Sequence, residues 1–145
     1  MRAYLDTNVV IRGMERTDAG AGEVGRLIEL AERGRLRLTT SELTLGEALV
    51  GPLKAGNDLL AMSYVDLLTK DPLIELWPVT REVLIEAAPI RASSSAAFMD
   101  AVHVATAAIA RCDAVISYDR ALRDLTKLEV IEPGAKIFDE LEATP

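Results

Sequence analysis

Four acids in this sequence stand where a carboxylate is costly. Asp6 follows the apolar run Ala3-Tyr4-Leu5 and precedes Val9-Val10-Ile11. Glu47 lies among Leu45, Ala48, Leu49 and Val50. Asp100 opens the most apolar helix-like stretch of the chain, and Asp119 follows the apolar run Ala114-Val115-Ile116. A carboxylate taken out of water costs several kcal/mol or takes up a proton. Acids that meet from several elements also repel, and a divalent cation relieves that repulsion. One histidine and one cysteine exclude a zinc site of the Cys/His type. The ligands would be oxygens and the ion hard, Mg²⁺ or Mn²⁺. Such an ion activates water and steadies the charge that builds on a phosphoryl group.

The neighbours of these acids fit that chemistry. Thr7 and Asn8 are placed to hydrogen-bond an acid, a water or a phosphate at the end of the first strand. Ser117, two positions before Asp119, points to the same side of an extended segment. His103, three positions after Asp100, shares its side of a helix. Phosphate contacts fall to bases outside the acidic pocket, and Arg12, Lys54, Arg91 and Arg120 are the candidates. Glu42 reads as an exposed acid, Trp77 as core and Cys112 as a small buried hydrophobe.

Positioning these groups takes alternating strands and helices, the pattern of an α/β fold with a parallel sheet. Strands are expected at Ala3–Leu5, at Arg35–Thr39 as a half-exposed strand, at Ile74–Val79, at Ala114–Ser117 and at Leu128–Ile131. Helices are expected at Glu23–Arg33, stopped by Gly34; after a cap at Thr40 or Ser41, ended by Gly51-Pro52; at Asp58–Thr69, with Leu59, Leu60, Met62, Val65 and Leu68 inward; from Arg81 behind a Thr80 cap, kinked or ended by Pro89; and at Ala96–Arg111. An amphipathic tail follows Pro133-Gly134. Asp6 and Asp119 then sit at the carboxyl ends of strands, where parallel sheets bind ligands, and Glu47 and Asp100 project from helices over the same crevice.

Composition bounds the rest. The 145 residues fit one domain, 1–145, with a core of its own. The 23 acids against 16 bases, net −7, argue against a nonspecific DNA coater and leave room for a nuclease that needs acids. No apolar run approaches the ~18–20 residues of a membrane helix, so no membrane partner is expected. Met1-Arg2-Ala3 leads straight into a strand-like run, unlike a signal peptide. A single cysteine permits no intrachain disulfide and fits a cytoplasmic setting.

Leu5-Asp6-Thr7-Asn8, Ser41-Glu42 with Glu47, Asp100-Ala101-Val102-His103-Val104-Ala105-Thr106-Ala107 and Ser117-Tyr118-Asp119-Arg120 resemble, in order and spacing, the successive motifs of a PIN domain. Size and compactness resemble the VapC-type toxins of toxin–antitoxin pairs, and the resemblance runs from Tyr4 to about Ile131. It implies a three-layer sandwich whose central, mostly parallel sheet of about four or five strands is flanked by helices. It implies a Mg²⁺- or Mn²⁺-dependent endoribonuclease acting on RNA, the toxin of a type II pair, homodimeric and held by a cognate VapB-type antitoxin. Asp6, Glu47, Asp100 and Asp119 would form its acidic site, with Asp6, Asp100 and Asp119 on the metal. Two other readings compete. One is a catalytically silent PIN-like module that binds RNA or protein. The other is a small phosphoester phosphatase, which wants a second Asp where this chain has Asn8.

Overall fold

β1 (Arg2–Leu5) lies at the middle of a five-stranded sheet in the order β3-β2-β1-β4-β5. The other strands are β2 (Arg37–Ser41), β3 (Ile74–Trp77), β4 (Ala114–Ile116) and β5 (Glu129–Ile131), and every neighbouring pair is parallel. The helices are α1 (Thr7–Glu15), α2 (Ala19–Glu32), α3 (Glu42–Lys54), α4 (Asp58–Lys70), α5 (Arg81–Ala92), α6 (Phe98–Ile109) and α7 (Ala135–Ala143), with a 3₁₀ turn at Arg120–Asp124. The computed structural model describes residues 1–143, without the side chains of 19, 20, 135, 141 and 142. Thr144 and Pro145, the end of the single domain expected over 1–145, lie outside the described residues.

Strand periodicity divides the core. Ala3, Leu5, Leu38, Ile74 and Ile116 face one side and pack on α1 to α4 and α7, through residues such as Val9, Leu27, Leu30, Tyr64 and Phe138. Tyr4, Val115 and Val130 face the other side, against Val104, Ala107 and Ala110 around α6 and Leu122 of the 3₁₀ turn. α5 covers α6 through Val83 and Ala87. The result is the three-layer α/β sandwich expected from the motifs. The chain leaves β1 for β2 and β3 on one side and returns to β4 on the other. The switch point is therefore the pair β1–β4, and the connections after these two strands diverge to opposite faces.

Several local signals act as read. Gly34 takes φ +70° after α2, and Gly34 N–H bonds to Ala31 O while Arg35 N–H bonds to Leu30 O, a Schellman stop. Ser41 caps α3 by accepting from Leu43 N–H at 3.0 Å, and Thr80 caps α5 by accepting from Val83 N–H at 3.2 Å.

Other expectations need correction. Thr7 to Glu15 is a helix not expected from the sequence, and Thr7 and Asn8 open it just past the end of β1. The β-branched run Val9-Val10-Ile11 hides this locally. Asp6 decides it, with its side chain accepting from Thr7 N–H, and Val9 and Val10 bury against the sheet. β2 is not half-exposed: Leu38 to Ser41 are all buried, because helices cover both faces of a central parallel strand. Gly51-Pro52 does not end α3, which runs through the buried Pro52 to Lys54 and stops before Gly56 at φ +66°. Pro89 likewise lies inside α5 without ending it. On α4 the inward residues are Ala61, Tyr64 and Leu68, while Leu59 and Met62 are 80% and 62% exposed and Val65 is exposed too. The Tyr64 hydroxyl donates to Glu15 of α1, which fixes that face inward.

Candidate active site

Asp6 is the junction of β1 and α1. Its N–H donates to Ile116 O at 3.0 Å, a last rung between β1 and β4. Its Oδ1 accepts from Thr7 N–H at 2.8 Å, so it caps α1. Its Oδ2 accepts from Ser117 Oγ at 2.7 Å and from Asn8 Nδ2 at 3.2 Å. Asn8 also donates to Ser117 Oγ at 3.2 Å, and its Oδ1 accepts from Tyr118 N–H at 3.2 Å. Asn8 thus ties α1 to the end of β4. Ser117 Oγ in turn accepts from Asp119 N–H at 3.0 Å, and Asp119 Oδ1 caps the 3₁₀ turn by accepting from Ala121 N–H at 2.9 Å. Asn8 and Ser117, both singled out in the sequence, make these contacts.

Glu47 reaches the same place from α3. Its Oε1 accepts from Thr7 Oγ1 at 2.8 Å and lies 2.5 Å from His103 Nε2 on α6. His103 is 2% exposed; its Nδ1 lies 2.6 Å from the Tyr4 hydroxyl and its Nε2 3.9 Å from Asp6 Oδ1. Burial opposes charge on Glu47, but the bonds from His103 and Thr7 and the His103 charge outweigh it and hold the carboxyl below its ordinary pKa. Burial, then the Asp6 charge, push the Tyr4 phenol well above its usual value, only partly offset by Thr40, Ser41 and Thr44.

Asp100, in the first turn of α6, completes the group. Its carboxyl is raised, first by burial, then by the charges of Asp6 and Asp119, with His103 pulling down and Glu47 pushing up. Asp6, Glu47, Asp100 and Asp119 are therefore brought within electrostatic reach of one another from four different elements. Two of them stand at helix N-termini, where the macrodipole favours an anion. Among the described residues no Lys or Arg pairs with any of the four. Nor do three His, Cys, Asp or Glu side chains among them stand close enough together to close on one ion as they are. The donor set fits a hard cation by its chemistry: oxygen ligands, and negative charge that no Lys or Arg among the described residues offsets.

The bases are scattered. The Arg12 guanidinium lies 3.8 Å over the Tyr118 ring, one turn beyond Asn8. Arg120 is next to Asp119 but ion-paired to Glu132 at 2.9 Å. Arg91 donates to Ser94 O at the end of α5, and Lys54 closes α3, both away from the acids' bonds. Sequence reasoning missed Tyr4, Thr40 and Thr44. Thr40 Oγ1 donates to Leu5 O at 2.7 Å and so accepts from Thr44 Oγ1 at 2.8 Å, a buried pair behind Thr7. The signal for Tyr4 was its spacing: two before Asp6, it stands on the same side of the strand.

A family profile described as the PIN domain matches residues 3–128. The fold is similar to a chain of VapBC2 from Rickettsia felis, bound there to a DNA fragment from the promoter, at TM-score 0.71 and 14% identity over 91% of this chain and 98% of that one. It is similar to VapC20 of Mycobacterium tuberculosis, a sarcin–ricin loop cleaving toxin, at TM-score 0.68 and 16% identity over 83% and 92%. FitAcB from Neisseria gonorrhoeae is similar at TM-score 0.69 and 21% identity over 90% and 97%. No curated protein matches by sequence. The motif order read from Asp6 to Asp119, the sheet order and the span of the profile agree, and the chain belongs to the PIN domain family.

Proposed function

We propose that this chain is a divalent-metal-dependent endoribonuclease, the toxin of a type II toxin–antitoxin pair acting in the cytoplasm. One observation carries the reading: Asp6, Glu47, Asp100 and Asp119 share one end of the sheet with no Lys or Arg paired to them among the described residues, and burial together with the charges of Asp6 and Asp119 raises the Asp100 carboxyl above its ordinary pKa. Asp6, Asp100 and Asp119 would hold Mg²⁺ or Mn²⁺, which when bound supplies an activated water and charge stabilisation at the phosphoryl group. The protein's own part is orientation. Ser117 and Asn8 fix Asp6 Oδ2, and the Ser117 hydroxyl, by accepting from Asp119 N–H, sets Asp119 relative to Asp6. Glu47 is kept ionised and is the group placed to take a proton from the attacking water. Arg12 and Arg120, nearest to the acids in the chain, are the phosphate contacts; Arg91 and Lys54 would act only on more distant phosphates of a structured RNA.

The partners follow the neighbours, which include toxin–antitoxin complexes. A VapB-type antitoxin and a second copy of the chain are the proposed contacts of the exposed Leu53, Leu59 and Met62. Among the described residues no helix is long and apolar enough to cross a membrane. The test is cleavage of a panel of structured RNAs with Mg²⁺, Mn²⁺ or a chelator. Cleavage that needs the metal and disappears in Asp6→Asn is the expected result. Metal-independent cleavage, or full activity in that variant, contradicts the reading.

A further inference from the structure

Glu47 and Asp100 come from opposite layers of the sandwich, on α3 and α6, and nothing in the sheet itself holds them in register. The side chain that spans the gap is His103, three residues along α6 from Asp100. It is pinned at both ring nitrogens, by Tyr4 of β1 at 2.6 Å and Glu47 at 2.5 Å. The fully buried Tyr4 hydroxyl sits against Nδ1 and, as an O–H donor, donates to that nitrogen of the neutral ring. That leaves Nε2 with a hydrogen directed at Glu47 Oε1. Thr7 donates to the same oxygen, and Oε2 accepts no bond among the described residues.

We propose that Tyr4 and His103 are positioning residues for Glu47: Tyr4 sets the tautomer and plane of the imidazole, and His103 with Thr7 ties down Oε1 so that Oε2 alone is presented to the crevice. The benefit to turnover rests on the nuclease reading above, whereas the clamp itself rests on geometry. A ring that merely filled core space would need neither bond. A carboxylate with one oxygen committed twice and the other free has a single orientation to offer, which is what a group poised to take a proton requires.

His103 is the only histidine of the chain, so its ring gives one unambiguous nitrogen spectrum. Long-range ¹H–¹⁵N NMR of the full chain under mildly alkaline conditions should show hydrogen on Nε2 and a bare Nδ1. Glu47→Gln should shift the Nε2–H resonance, and Tyr4→Phe should shift Nδ1. Hydrogen on Nδ1 alone, or an Nε2–H indifferent to Glu47→Gln, overturns the proposal. In Mn²⁺-dependent RNA cleavage, Tyr4→Phe and His103→Leu should lower kcat about 10–100-fold with KM little changed. His103→Gln, whose amide N–H can still reach Glu47, should recover most of that loss. In a Glu47→Gln background neither change should cost further activity, and an undiminished cost there contradicts the clamp. If the wild-type chain cuts no RNA with any metal, the nuclease reading fails while the nitrogen spectrum still decides the clamp.

Discussion

The two ends of the sheet carry the same kinds of acid and treat them differently. At the amino ends of β1 and β4, Asp113 Oδ2 accepts from Arg2 N–H at 2.7 Å and Glu75 pairs with the Arg2 guanidinium at 3.2 Å. Arg2 also donates to the carbonyl of Ala110, the C-cap of α6, at 2.7 Å, where a cation suits the helix dipole. At the carboxyl ends, Asp6, Glu47 and Asp119 are met by hydroxyls, an amide, backbone N–H groups and one imidazole, and Asp100 joins them through the charges it feels. Charge is cancelled at one end and only oriented at the other. A fold that sought stability alone would treat both ends as it treats the first. Leaving like charges together costs stability, and on the proposed reading it is the cation that would offset that cost.

The largest effect should come from removing one of the four clustered charges. Asp6→Asn or Asp100→Asn should lower metal-dependent RNA cleavage on the order of a thousandfold or more, the several kcal/mol that such a site supplies, in single-turnover assays. Next, Mn²⁺ at about a hundred times its dissociation constant should stabilise the wild-type fold by ~2.7 kcal/mol in thermal unfolding. That gain should vanish in Asp6→Asn and fade on acidification, as ligands protonate. Opposite signs at the two ends are the sharper comparison. Arg2→Met should destabilise the metal-free protein by ~1–2 kcal/mol, because Glu75 and Ala110 O lose their partner. Asp100→Asn should instead raise metal-free stability by up to ~1 kcal/mol, the scale of two charges about 4 Å apart in water. Urea midpoints measure both, and a loss in both would erase the contrast.

The smallest effect is in the pH dependence. Glu47 is held below its ordinary pKa, so its contribution to stability is full above the unfolded value of about 4.3 and is lost as pH falls through the folded value. Asp100 is raised, so its contribution is full below the unfolded value of about 3.9 and is lost as pH rises through the folded value. Glu47→Gln should therefore flatten the acid limb of the stability profile of the metal-free protein, and Asp100→Asn should flatten the limb above it.

Much of this arrangement was legible in one dimension. Asp6 and Asp119 stood out because an acid at the end of a buried run is anomalous, and Gly34, Ser41 and Thr80 announced helix ends by local chemistry alone. What stayed hidden depends on distant partners. The β-branched Val9-Val10-Ile11 gave no helix signal of its own; the Asp6 cap and the sheet that takes up Val9 and Val10 make that segment α1. Leu59 and Met62 read as core because hydrophobicity does not distinguish two apolar faces of α4; the contact from Tyr64 to Glu15, 49 residues away in sequence, does. His103 was seen beside Asp100, but its bonds to Tyr4 and Glu47 span 99 and 56 residues. No periodicity encodes such a pairing. The packing of α6 across the sheet creates it.

A crystal of the full chain soaked in Mn²⁺ and read by anomalous scattering tests the central claim most directly. The account predicts a peak about 2.1 Å from carboxylate oxygens of Asp6 and Asp100, with Asp119 turned toward it. Manganese bound only elsewhere, with Asp6 and Asp100 left to repel each other, would contradict it.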